Sequence, residues 1–227
     1  MIFFINWRRN YAPLDFDRAK NFEQSFTYSL PFGRGHAHFN SAAGDAVLGG
    51  WKVTGVISLL SGLPFSVYAN GGSLNTPGTA QTATLNGGFR VLHGIGSASP
   101  WFKNDNGLLG SSATWQQPIG CPSAPAPCPN PGLGNTGRNQ FRGPGYMQDN
   151  FSLAKKFTIY RELGAEIRID AVQLSNTPQF ALPNAGSGNI ITAGNFGQVT
   201  STLGSGQGTV NGIGGGRSFQ GSVKFTF

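Results

Sequence analysis

The sequence predicts an all-β chain, an antiparallel meander of about five to six long strands joined by connections of very unequal length. Three observations carry this. The chain is rich in glycine and poor in charge, its apolar and polar residues alternate over stretches of about 10 to 12 residues, and its connections alternate between short and long.

Glycine makes up 35 of 227 residues and charged residues 11%, against about 7% and 25% in ordinary soluble domains. The mean hydropathy is −0.17, so the chain is not apolar overall. Its 18 phenylalanines argue against disorder, which goes with few aromatics and high net charge. No apolar run approaches the 18 or so residues of a membrane helix. The formal net charge is +7. Its lysines and arginines are scattered from Arg8 to Lys224 with no basic run, which counts against nucleic-acid binding.

Successive strand residues point to opposite faces, so a half-buried strand shows period two. Over 21–30, Phe22, Phe26, Tyr28 and Leu30 alternate with Glu23, Ser25, Thr27 and Ser29. Over 50–61, Trp51, Val53, Ile57 and Leu59 oppose Lys52, Thr54 and Ser58. Over 149–160, Phe151, Leu153, Phe157 and Ile159 oppose Asn150, Ser152, Lys156 and Thr158. Over 162–173, Leu163, Ala165, Ile167, Ile169 and Ala171 oppose Glu162, Glu166, Arg168 and Asp170. The last residues are the clearest: Phe219, Gly221, Val223, Phe225 and Phe227 oppose Ser218, Gln220, Ser222, Lys224 and Thr226.

Length separates two kinds of β protein. Membrane strands need about 9–11 residues, while strands of soluble proteins average about 5–6. The connections run shorter (31–49), long (62–148), very short (about 161) and long (174–216). Transmembrane barrels have short periplasmic turns and long extracellular loops. Length and parity together predict part of an outer-membrane β-barrel with long extracellular loops and a periplasmic C-terminus. The alternative is a secreted or surface β-sandwich that binds carbohydrate or protein. The two differ in the outward face: a sandwich would bury Phe219, Val223 and Phe225 between sheets.

The order of several short stretches resembles the C-terminal end of the Oar-like TonB-dependent receptors, large barrels of acidobacteria and their relatives. These stretches are Leu30-Pro31-Phe32-Gly33, Trp51 with Ser61-Gly62 and Pro64, Gly137-Arg138-Asn139, and Phe141-Arg142-Gly143-Pro144-Gly145 with Asp149, Ser152, Leu153 and Phe157. Asn176-Thr177-Pro178 with Phe180, Phe196-Gly197, and Arg217, Gln220, Lys224, Phe225 and the terminal Phe227 follow. The stretch 170–176 reads DAVQLSN, where the family usually has a Phe-Asn pair.

The resemblance implies energy-coupled uptake of a siderophore, glycan or similar large solute by a barrel of about 22 strands closing on a plug. It also implies that Phe225 and Phe227 form the signal read by the barrel-assembly machinery. Five or six strands do not close such a barrel, and the opening MIFFINWRRN does not read as a secretory signal. Residues 1–16 are therefore expected to be the stub of an upstream segment, and 17–227 the C-terminal part of a receptor barrel. The expected partners are outer-membrane lipid and the assembly machinery, with the TonB system reached only through upstream regions.

Nothing in the chain assembles a catalytic constellation. No Gly-x-Ser-x-Gly elbow occurs, and the glycine run at 212–216 leads into a strand rather than a helix, unlike a phosphate-binding fingerprint. No enzyme activity, cofactor or metal is expected. His36 and His38 alternate but lack a carboxylate or cysteine cluster and read as turn residues. Cys121 and Cys128 flank a Pro-rich stretch, and in an extracellular loop a disulfide is expected over two free thiols. Arg138, Arg142 and Asp149 either pin a loop to the barrel mouth or meet an anionic ligand; the structural use is the commoner one. Trp101, Phe102 and Trp115 either stack on sugars or pack the loop on itself. The transported solute is not legible in the sequence.

Overall fold

A computed structural model of the chain describes residues 7–32, 47–70, 81–108, 110–118, 134–160, 163–183, 189–203 and 216–227. His36, His38, Cys121, Cys128 and most of the glycine run at 212–216 lie outside the described residues. Among the described residues the fold is all-β apart from a 3-10 turn at Trp7–Asn10 and a helical fragment at Val47 and Leu48. In chain order the strands are β1 (Asn21–Ser29), β2 (Trp51–Leu60), β3 (Pro64–Phe65), β4 (Thr84–Leu85), β5 (Asn106–Leu108), β6 (Trp115–Gln117), β7 (Phe141–Arg142), β8 (Tyr146–Tyr160), β9 (Leu163–Val172) and β10 (Ser218–Thr226). The chain divides into two compact units.

One unit comprises Asn21–Leu60, Tyr146–Gln179 and Gly204–Phe227. It is a single antiparallel sheet in the order β1-β2-β8-β9-β10. These five strands are 9, 10, 15, 10 and 9 residues long, the length that crosses a bilayer core. β8 begins three residues before the alternation at 149–160 becomes visible. Register follows the sequence pattern: Tyr28 pairs with Val53, Val53 with Leu153, Leu153 with Ile169 and Ile169 with Gly221. One face is therefore apolar across all five strands.

Gly55 sits mid-strand on that face. A Cβ there would lie 2.6 Å from the Phe26 ring and 3.0 Å from that of Phe151. The missing side chain lets these two rings meet edge to face at 5.9 Å, which compensates the packing a strand glycine forgoes.

The other unit comprises Met1–Lys20, Ser61–Gly145 and Phe180–Leu203. The stretch expected as one long loop carries five short strands: β3 pairs with β7, and β4, β6 and β5 form a three-stranded sheet. Its core is aromatic. Phe65, Phe102, Trp115, Phe141 and Phe196 are buried, with Phe89 packed against them. Ring centroids lie 4.5 Å apart for Phe89 and Phe141 and 5.7 Å apart for Trp115 and Phe196. Such pairs add about 0.5–1.5 kcal/mol each beyond their buried area. Gly62 and Gly143 allow the backbones on either side of β3 and β7 to touch, since a Cβ on Gly62 would fall 1.9 Å from the Gly143 carbonyl oxygen. This close approach accounts for the glycines in the Ser61-Gly62 and Gly143-Pro144 stretches.

Candidate functional site

The long-strand sheet presents two chemically opposite faces, and both are open. On the apolar face Phe219, Val223 and Phe225 are 62%, 59% and 61% exposed. Phe22, Tyr28, Leu59, Ile167 and Ile169 are exposed on the same face. These exposures do not fit the sandwich alternative, which would bury Phe219, Val223 and Phe225 between sheets. A contiguous apolar surface of this extent marks an interaction with lipid or protein. The outer edges of β1 and β10 pair with no other described strand.

Two charged residues fall on the apolar side of β8 by parity, and both are satisfied. The Lys155 ammonium donates to the carbonyl oxygens of Val47 at 2.7 Å and Gly49 at 2.9 Å. It lies 5.2 Å from the ring centroids of both Trp51 and Phe157. The Trp51 indole N–H also donates to the Val47 carbonyl, at 3.0 Å. The cation is thus withdrawn beneath aromatic rings onto backbone acceptors and is only 4% exposed, as a buried charge requires. Nearer the other end of β8, the Asp149 carboxylate accepts from the Ser175 backbone N–H at 2.9 Å and the Ser175 hydroxyl at 2.8 Å. It ties the turn after β9 back to β8.

On the polar face charges pair across strands. The Ser152 hydroxyl donates to Asp170, and the Arg168 Nε donates to the same carboxylate at 2.8 Å. Lys156 and Glu166 lie 3.6 Å apart, and Glu166 stands opposite Lys224 in the ladder. One ladder row runs Ser29, Lys52, Ala154, Arg168, Ser222. Around it lies a groove of about 420 Å³, lined on this face by Lys52, Thr54, Ser152, Lys156, Glu166 and Arg168.

The arginines singled out in the sequence lie in the other unit. Arg138 meets the Asp15 carboxylate at 2.9 Å. Its neighbour Asn139 donates to the same carboxylate at 2.6 Å and to the Pro13 carbonyl at 2.8 Å. The Asn139 amide, then the Arg138 guanidinium, holds the Asp15 carboxyl below the usual carboxylate range. Arg142 is ion-paired with Asp17 and also donates to the Gly62 carbonyl at 3.2 Å. Both guanidinium groups thus fasten the segment preceding β1.

Trp115 is 0% exposed and its ring N–H donates to the Lys103 carbonyl at 2.7 Å. It offers no face to a sugar. Trp101 is almost as buried, and its ring packs edge to face on His93 at 4.9 Å. Phe102 is fully buried in the same core. Phe225 and Phe227 are exposed, Phe227 at 98%.

Lys155 was missed by sequence reasoning. The signal was a lysine that breaks the apolar run Phe151, Leu153, Phe157 two residues from an aromatic, but its carbonyl partners lie more than 100 positions away.

A protein-family model described as an outer membrane beta barrel domain matches residues 3–220 of the chain. No curated protein and no solved structure matches it.

Proposed function

The chain belongs to the outer membrane β-barrel domain family, and on that premise we propose that its long-strand sheet is a sector of the wall of a TonB-dependent transporter. The observation that carries this reading is the sheet itself: strands of membrane-crossing length with a continuous exposed apolar face and an opposite polar face. In this arrangement the apolar face meets lipid and the polar face lines the lumen. Open edges are not tolerated in hydrocarbon, so on this reading the free edges of β1 and β10 pair with other strands of a larger barrel.

The lengths of the connections support one orientation. The segments after β2 and after β9 are the long ones and lie outside the cell, and the β8–β9 turn and the C-terminal end of β10 face the periplasm. Phe225 and Phe227 then stand at the periplasmic end, where the barrel-assembly machinery reads its signal. The transported cargo is a large solute such as a siderophore or glycan, taken up by the complete transporter with energy from the TonB system. The ordered motifs from Leu30-Pro31 to the terminal Phe227 support this choice among barrels, as does an extracellular segment built around its own aromatic core. No catalytic role is proposed.

The test is uptake of labelled solutes by cells carrying the protein in the outer membrane, with and without a protonophore or a functional TonB. Uptake that collapses without energy supports the transporter reading. A passive conductance indifferent to both would overturn it and leave the barrel in place.

A further inference from the structure

We propose that the polar face of the long-strand sheet carries an oxoanion-binding site, seated over Ala154 between Lys52 and Arg168. It takes a carboxylate, phosphate or sulfate group of the solute in transit, and so rests on the transporter reading above.

The ladder places these three residues in one row on adjacent strands: Lys52 opposite Ala154, and Ala154 opposite Arg168. The small methyl group between two long cationic side chains leaves a depression rather than a ridge, and this row lies in the groove of about 420 Å³. Three cations and one carboxylate line the groove; Lys156 is ion-paired with that carboxylate, Glu166, and Arg168 with Asp170 beside the groove, which leaves the charge of Lys52 unopposed among the described residues. Lys52 has no hydrogen bond or ion pair with another described residue.

Arg168 is held in place from one side only. Of the five N–H donors of a guanidinium, it uses Nε on Asp170 and one Nη on Ser152. It makes no other hydrogen bond to a described residue. The next row supplies the Thr54 hydroxyl, a neutral donor suited to a further oxygen of an oxoanion, while the Ser152 hydroxyl is committed to Asp170 and holds Arg168 in place. A fixed guanidinium, an ammonium without a partner among the described residues and the Thr54 hydroxyl around one small residue match the charge-assisted recognition of a planar or tetrahedral anion.

The test uses inorganic sulfate as the probe, titrated calorimetrically into the detergent-solubilised protein at constant ionic strength. Saturable binding is expected. Lys52→Gln and Arg168→Gln should each weaken it by about ten-fold or more, and Lys103→Gln, outside the groove, should leave it unchanged. Circular dichroism checks the fold of each variant. Arg168 also braces Asp170 and Ser152, so Lys52→Gln decides the matter if Arg168→Gln fails to fold. Absence of saturable sulfate binding, or binding indifferent to Lys52→Gln, would overturn the site. The titration needs no energy source, so its outcome is separate from that of the uptake assay: passive conductance with intact sulfate binding would remove the transporter reading alone.

Discussion

Phe141 and Phe225 are the same side chain under opposite rules. Phe141 is buried among Phe65, Phe89 and Trp115 in a core closed by protein. Phe225 stands on a sheet face with more than half its surface uncovered. The loop-built unit satisfies its apolar residues within itself, as a water-soluble protein does. The long-strand unit leaves its apolar residues on the outside and keeps its ionic contacts on the other face, as a barrel wall in lipid does. One chain therefore answers to two solvents, and the alternation of faces, not the content of phenylalanine, tells which solvent a segment meets.

The sharpest way to break the comparison is to damage one region alone. Trp115→Ala removes the largest fully buried side chain of the loop-built core and should cost about 3–5 kcal/mol. Limited proteolysis should then cut within 81–117 while the long-strand sheet keeps its circular dichroism. Joint collapse of both would make them one cooperative body. The matched test on the sheet is Val223→Arg against its neighbour Ser222→Arg. In denaturant unfolding from lipid vesicles the first should lose about 2–4 kcal/mol, as for a cation near the bilayer midplane, and the second about 0.5 kcal/mol or less. Equal losses would erase the difference between the faces.

A smaller effect is expected for Lys155→Met, which removes two charge-assisted hydrogen bonds to the carbonyls of Val47 and Gly49. About 1–3 kcal/mol should be lost in the same unfolding assay, and hydrogen exchange should quicken at 47–52. The smallest concerns acid. The Asp15 carboxyl is held below its ordinary value of 3.8 by Asn139 and Arg138, so its contribution is present above that value and fades as pH falls through the lowered one. Hydrogen exchange at 11–18 should quicken on acidification in that window, and Asp15→Asn should abolish the dependence.

The five long strands were legible because half-buried strands write their period into the sequence. All eight ends of β1, β2, β9 and β10 lie within one residue of the ends of the alternation. The start of β8 was hidden because Tyr146 and Met147 are adjacent apolar residues after a proline and glycine, which masks the alternation. The aromatic core of the other unit was illegible for a different reason. Phe65, Phe89, Phe102, Trp115, Phe141 and Phe196 share no spacing, and strands of two or three residues are too short to show a period. Of the candidate site residues, the arginines were visible as motif positions, but their partners Asp15 and Asp17 lie more than 120 positions upstream. The Lys52–Ala154–Arg168 row exists only once register is fixed, since a one-residue slip would turn each side chain to the other face.

The most direct measurement places spin labels one at a time at 222, 223, 224 and 225 of the vesicle-inserted protein, with Cys121 and Cys128 replaced. Accessibility to oxygen, which concentrates in lipid, is compared with accessibility to a water-soluble relaxant. A period of two is expected, with positions 223 and 225 open to oxygen and 222 and 224 open to the aqueous agent. Equal exposure of all four positions to the aqueous agent would contradict the assignment of this face to lipid.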